Sequence, residues 1–278
     1  MVAAFSSVMA RNSGRAGPLA RRIGSVTKPF LVVQLSDPHI GANWGGGDPV
    51  AGLAATVAAV RAIEPSPDAV LISGDLADHA ADDEYEQLLE LTAPLGAPLH
   101  VLPGNHDRRA ALRRRFGLPG HEDEPVQYGV DLGPLRLVVL DSMLPGEDRG
   151  ELDAGRLAWL EAALGEAPET PTLLALHHPP VTTGIPIVDE IGLAPADQRA
   201  LGDVVERHPQ IRRIVAGHLH LRVTAELRGR SILVAPSTYV QARLELDAEE
   251  VRLSAEPPAF AVHVWLDGAL ISYVLQVS

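Results

Sequence analysis

Residues 97–107 read APLHVLPGNHD, and the way this stretch is read decides the fold. An apolar run of strand character ends in a turn, because Pro presets φ and Gly accepts φ > 0. The turn accounts for Pro103 and Gly104. It does not account for Asn105, His106 and Asp107, which set an amide, an imidazole and a carboxylate side by side. One such terminus is an ordinary Asx turn; a series of them is a site. The question is whether other strands end the same way.

Outward from that stretch the apolar pattern alternates between strand and helix periods. Residues 30–36 form one continuous apolar strand, and 49–64 repeat apolar residues at helical spacing behind the start signal Asp48-Pro49. Residues 69–73 predict a second strand, 81–95 an acid-led helix, 97–102 the third strand and 108–116 an Arg-rich helix. A hairpin across Gly133-Pro134 is expected at 126–141, and helices at 153–164 and 195–208 precede strands at 172–176 and 211–216. Short strands follow at 222–229 and 230–236, then a period-2 hairpin from Phe260 to Leu275 about an Asp267-Gly268 turn. Between them, the charged segment 241–258 reads as an excursion over the surface. Parallel βα units followed by an antiparallel portion predict an α/β fold with sheets packed between helices, in one domain over 29–278.

Composition narrows the function. The 278 residues contain no cysteine, which rules out disulfides and thiolate metal sites and fits a cytoplasmic location. No apolar run is long enough to span a bilayer. The formal charge is −13, but residues 1–28 hold five basic residues (Arg11, Arg15, Arg21, Arg22, Lys28) and no acid. The remainder carries 18 basic against 36 acidic residues, a balance that argues against a nucleic-acid polymer as partner. Residues 1–28 share the Arg- and Ser-rich, acid-free composition of transit segments but lack a secretory apolar core. They are read here as a flexible basic tail.

Against that map, the unusual polar residues fall in five places. Asp37-Pro38-His39, Gly74-Asp75, Gly104-Asn105-His106-Asp107, His177-His178 and Gly217-His218-Leu219-His220 each follow a predicted strand. Six of the eleven histidines lie there. In open α/β sheets the carboxyl edge is where sites assemble. Asp37 with His39, and His218 with His220, are spaced i and i+2, which on extended chain directs both side chains to one side.

Asp37, His39, Asp75, Asn105, His177, His218 and His220 make seven candidate metal ligands. One tetrahedral ion takes about four, so seven with one bridging carboxylate suit two divalent cations. With two aspartates and a bridging hydroxide such a cluster retains about one positive charge, suited to a phosphodiester monoanion. His106 is left to stabilise phosphoryl oxygens or protonate a leaving alkoxide, and Asp107 to accept a histidine N–H and orient the ring. Nitrogen and oxygen donors suit Mn, Fe, Co or Zn.

In order, these motifs resemble the D-x-H, GD, GNH(D/E), H and GHxH pattern of the calcineurin-like metallophosphoesterases, over about residues 31–240. That resemblance implies a four-layer αββα sandwich of two mixed sheets flanked by helices. It implies one metal on Asp37, His39 and His220, a second on Asn105, His177 and His218, and Asp75 bridging; it also favours His177 over His178. Asp78 stands where purple acid phosphatases carry Tyr, and Asp78-His79-Ala80 departs from the Asp-Arg-Gly of protein phosphatases. Asp141-Ser142, Trp159-Leu160, His177-His178-Pro179-Pro180 with Asp189, residues 233–241 and the C-terminal hairpin are similar to the class III cyclic-nucleotide phosphodiesterases and their glycerophosphodiesterase relatives.

By that likeness, metal-bound hydroxide attacks phosphorus in line and opens a 3′,5′-cyclic nucleotide, cyclic AMP foremost, to a 5′-monophosphate. Glycerophosphodiesters or a broad range of small diesters are the alternative. A metal-free protein-binding scaffold is disfavoured by the full ligand set. Relatives often dimerise, so a homodimer or higher homo-oligomer is also expected. Trp44 is placed to stack on a base, His100 is expected as a packed core histidine, and Arg113, Arg114 and Arg115 as a charged helix face.

Overall fold

The computed structural model describes residues 28–278, so the expected tail lies outside the described residues except for Lys28. Strand β1 (Phe30–Leu35) leads to helix α1 (Pro49–Arg61). Asp48 caps that helix by accepting the N–H groups of Val50 and Ala51, with Pro49 in the first turn. Strand β2 (Ala69–Ile72), helix α2 (Asp82–Thr92), strand β3 (Leu99–Val101) and helix α3 (Arg109–Phe116) complete the first half. The antiparallel pair β4 (Tyr128–Asp131) and β5 (Arg136–Val139) opens the second. It continues through α4 (Ala154–Gly165), β6 (Thr172–Ala175), a short α5 (Pro186–Glu190), α6 (Pro195–Arg207), β7 (Ile211–Ala216), β8 (Val223–Leu227) and β9 (Arg230–Val234). Two-residue strands β10 (Gln241–Ala242) and β11 (Leu253–Ser254) pair with each other before the hairpin β12 (Ala259–Leu266) and β13 (Ala269–Gln276).

Two mixed sheets result, ordered β13-β12-β1-β2-β3 and β4-β5-β6-β7-β9-β8. Three apolar cores stack between four layers. Leu31, Val33, Leu35, Val70 and Ile72 meet Leu53, Val57, Tyr85 and Leu88 of α1 and α2. Val32, Leu71, Leu137, Val139 and Leu173 meet between the sheets. Leu174, Leu176 and Ile214 meet Leu160, Leu164, Leu201 and Val205 of α4 and α6. Alternate residues of β1 therefore serve two different cores, which is why the strand, Gln34 apart, is apolar on both faces rather than alternating. The expected αββα sandwich is what the chain forms.

The departures are local. Neither α5 nor the β10–β11 pair was legible as periodicity, since each is too short to carry one. Arg113 is not part of a charged face. It is buried and donates to the carbonyls of Pro119, Glu122 and Pro125, leaving Arg114 and Arg115 to pair outside with Asp82 and Glu86. His100 is half-buried rather than packed in a core. It is His263 that is fully buried, bonded to Ser272 Oγ at 2.7 Å and Gln34 Oε1 at 3.1 Å.

Candidate metal centre

Parallel pairing of β1 with β2 and β3, and of β5 with β6 and β7, turns the carboxyl ends of these strands to one edge. The loops after β1, β2, β3, β6 and β7 deliver Asp37 and His39, Asp75, Asn105 and His106, His177, and His218 and His220 there. The backbone bends sharply to do so. Asp37 (φ 50°), His39 (45°), Asp75 (50°), His218 (73°) and His220 (49°) all occupy the left-handed region, so the i and i+2 pairs are not on extended chain as expected. That region costs a residue with a Cβ about 1 kcal/mol or more and is best tolerated by Asp, Asn and His. Such strain persists where surrounding contacts over-determine it. Gly104 completes the approach, because a Cβ there would strike the carboxylate and N–H of Asp75.

All seven expected ligands converge. Asp37, His39 and His220 place one donor atom each within 4.8 Å of one another, as do Asp37, Asp75 and His177, and His39, Asp75 and His106. Asp75 Oδ2 lies 3.5 Å from His39 Nε2 and 3.3 Å from His177 Nε2, between the two halves of the set. Asn105 Oδ1 lies 3.1 Å from both His177 Nε2 and His218 Nδ1.

The outward ring nitrogens decide what faces inward. His177 Nδ1 donates to Ser73 O (2.8 Å), His218 Nε2 to Ile191 O (3.0 Å), His220 Nδ1 to Val240 O (2.9 Å) and His39 Nδ1 to Asp78 Oδ1 (3.0 Å). A carbonyl or carboxylate only accepts, so each of these nitrogens carries its proton. The second nitrogen of each neutral ring then points a lone pair inward, the arrangement of a metal-ligating histidine. His39 Nε2 and His220 Nε2 face each other at 3.1 Å in this way. Lone pairs and carboxylates crowded at such distances repel unless a cation lies among them, so the donor set fits the metals. His178 belongs to another group of three with His177 and His218, but both its nitrogens are engaged, by Ser142 Oγ at 2.9 Å and Asp148 O at 3.0 Å.

Charge follows the same logic. Burial would raise the Asp75 carboxyl, yet His177, by charge and hydrogen bond, and His39 hold it well below the usual carboxylate range. Burial would lower His177, yet Asp75, by charge and hydrogen bond, and Asp37 lift it to about 9. The two carboxylates thus draw positive charge to this point, which a bound cation would supply while leaving the ring neutral. Burial first of all keeps His220 down at about 4 and His218 well below the usual imidazole value, the neutral form a ligand needs.

Two roles differ from expectation. Asp107 is buried and accepts the N–H groups of Gly104 and Leu76 at 2.9 and 3.2 Å and the Tyr85 hydroxyl at 3.0 Å. It bonds to no histidine among the described residues and instead braces the turns that carry Asp75 and Asn105. The orienting carboxylate is Asp78, which takes His39 Nδ1 and, at 3.0 Å, Trp44 Nε1, while its carbonyl accepts His106 Nδ1 at 3.0 Å. In the sequence Asp78 stood out only as a departure from other motifs, and its spacing carries no sign that it meets His39. Trp44 is 36% exposed and packs edge-on to His39 at 5.1 Å between ring centroids.

A cavity of about 340 Å³ opens over the donors. His39, Asp75, Asn105 and His106 form its floor, and Trp44, Val188, Ile191, Leu219, Val251 and Leu253 its apolar walls. Helix α5 and the segment between β10 and β11 supply much of that wall, so the expected surface excursion folds back over the site. Asp189 does not face the cavity. Its carboxylate accepts the N–H groups of Thr183 and Gly184 at 2.7 and 3.0 Å and holds the loop beneath α5.

The family model for calcineurin-like phosphoesterases matches residues 30–222. The probable glycerophosphodiester phosphodiesterase GpdQ of Arcobacter nitrofigilis is 32% identical over 247 residues, covering 86% of this chain and 89% of that protein. The 3′,5′-cyclic adenosine monophosphate phosphodiesterase CpdA of Pseudomonas aeruginosa is 35% identical over 215 residues, covering 76% and 77%. A dimetal phosphatase from Danio rerio shares the fold at a TM-score of 0.62 and 16% identity, over 90% of this chain and 99% of that one.

Proposed function

This chain belongs to the calcineurin-like phosphoesterases and is a metal-dependent phosphodiesterase, and on that premise we propose that its substrates are 3′,5′-cyclic nucleotides, cyclic AMP foremost. The observation that carries this reading is the apolar wall beside the donors. Trp44, Val188, Ile191, Leu219, Val251 and Leu253 offer a purine face apolar contact and offer little to the hydroxyls of glycerol. A glycerophosphodiester is the second reading, favoured by the greater length over which the GpdQ relative aligns.

In this proposal Asp37, His39, Asp75 and His220 hold one divalent cation, and Asp75, Asn105, His177 and His218 the other. Bound there, the cations supply Lewis acidity toward the phosphoryl oxygens and toward water. Asn105 contributes a donor without charge, so only Asp37 and Asp75 offset four positive charges and the site stays attractive to a monoanion. His106 keeps its Nδ1 proton on Asp78 O and presents Nε2 to the cavity. As the water oxygen bonds to phosphorus and the P–O3′ bond breaks, His106, acting as the imidazolium with protons on both nitrogens, donates from Nε2 to O3′. The proton given up by the water restores the ring as the 5′-monophosphate leaves. A cytoplasmic location belongs to the same reading; among the described residues no helix is long and apolar enough to cross a membrane.

The test is a hydrolysis panel with Mn²⁺-reconstituted protein: cyclic AMP, cyclic GMP, 2′,3′-cyclic AMP, glycerophosphoethanolamine and bis(p-nitrophenyl) phosphate, with Asn105→Ala as control. The highest kcat/KM is expected for cyclic AMP and no turnover for the control. Higher kcat/KM for glycerophosphoethanolamine by an order of magnitude would replace this reading with the second.

A further inference from the structure

The cavity over the donors is one of two depressions that meet at this edge. A larger groove of about 1000 Å³ adjoins it, and the two share Asn105, His106 and Asp148. Their linings differ in kind. The smaller has walls that are mostly apolar, whereas the larger brings charged residues from the loops after β2, β3 and β5 and from α2 and α3 together with small apolar ones such as Ala110 and Ala111. A phosphate seated against Asn105 and His106 thus has unlike surroundings on its two sides, and a phosphodiester has two ester arms. A cyclic nucleotide carries both arms on one sugar and leaves the larger groove to water.

Most charges in that groove are already answered. Arg114 pairs with Asp82 at 3.3 Å, Arg109 with Asp141 at 2.7 Å and His79 with Glu84 at 2.7 Å. Asp78 holds His39 and Trp44, and Asp107 is occupied by backbone N–H groups. Arg108 is different. It is exposed, lies two residues beyond His106, and its guanidinium has no hydrogen bond or ion pair among the described residues. Exposed Asp123, Glu147 and Asp148 also line the groove, so an anion is welcome there only where Arg108 answers it.

We propose that this groove is a subsite for a second ester arm ending in a phosphate, with Arg108 as the residue that recognises that phosphate. The chain would then also cleave linear diesters that join a nucleoside to such an arm. The inference rests on the reading of the apolar cavity as the nucleoside side. In the step, the water oxygen bonds to the central phosphorus, the bond from phosphorus to the arm's oxygen breaks, and that oxygen takes its proton from His106.

The experiment compares the glyceryl ester of AMP with the same ester phosphorylated on its terminal hydroxyl, using Mn²⁺-loaded protein. A charge-assisted contact to phosphate predicts a kcat/KM about tenfold higher for the phosphorylated ester, the gain lying in KM. Arg108→Ala should bring the ratio of the two close to one, Arg108→Glu below one, and Arg108→Lys should keep most of it. No preference in the wild-type protein, or a ratio unmoved by Arg108→Ala and Arg108→Glu, overturns the proposal. If cyclic AMP is inert while the esters show the Arg108-dependent ratio, the cyclic-nucleotide reading fails and this inference stands. If cyclic AMP is turned over and the ratio ignores Arg108, the reverse holds.

Discussion

The floor of the site and its walls are built by opposite means. On the floor, each ligand leaves the end of a strand and is buried or nearly so. Each histidine has its outward nitrogen tied to a backbone carbonyl or a carboxylate, and Asp37 and Asp75 accept the backbone N–H groups of His218 and His106. The walls come from a five-residue helix and from a segment whose Leu244 and Leu246 are 66% and 63% exposed. Donors must hold their geometry to fractions of an ångström, which demands anchoring at rigid elements. A nucleoside needs only apolar surface of the right shape, which loops can provide and change at little cost to the fold.

Substitutions should separate the two regions by size of effect. Asp75→Ala removes the carboxylate placed between both halves of the donor set, and a loss of more than about a thousandfold in kcat/KM is expected. Cation content measured after reconstitution should fall with it; a variant retaining both ions and full turnover would break the contrast. Asp78→Ala leaves all seven ligands in place but frees His39, and loss of such a supporting carboxylate costs about 10- to 100-fold in metal affinity. Calorimetric metal titration reads that loss directly.

Smaller effects belong to the wall. Leu253→Ala should raise KM for cyclic AMP about fivefold with kcat within about twofold, since the apolar contact it trims is worth about 1 kcal/mol. A fall in kcat of the size seen for Asp78→Ala would show that walls and floor are not separable. The least effect on catalysis is expected from His263, buried between the sheets. Burial, and after it Arg213, pushes this imidazole down to about 3, whereas in the unfolded chain it titrates near its ordinary value of about 6.5. The folded pKa is the lower, so the unfolded state binds the extra proton and stability is lost as pH falls through that window, by at most about 1.4 kcal/mol per unit. His263→Gln should flatten the decline of Tm between about pH 6.5 and pH 5 while leaving kcat unchanged.

Much of this was legible because it is local. Apolar runs of strand length, each followed at once by a donor residue, announce both the parallel units and the edge where their ends meet, and Asp37, His39, Asp75, Asn105, His177, His218 and His220 all stand in that position. Periodicity fails where elements are two to five residues long, as in α5 and β10–β11, and so the cavity wall was invisible. Arg113 and Asp107 misled for a related reason. Charge in a helix or beside a histidine says nothing of whether carbonyls or N–H groups of distant loops will surround it.

The sequence by itself determined the layered α/β fold, the chemistry of the donor set and the number of ligands offered. Those depend on residue type and on neighbours within a few positions. Only the tertiary structure decided which nitrogen of each ring faces inward, that Asp78 rather than Asp107 supports a histidine, and which residues wall the cavity. His177 owes its orientation to Ser73, 104 residues away, and His39 meets His220 across 181. Contacts of that separation arise when two sheets pack, and no local pattern encodes them.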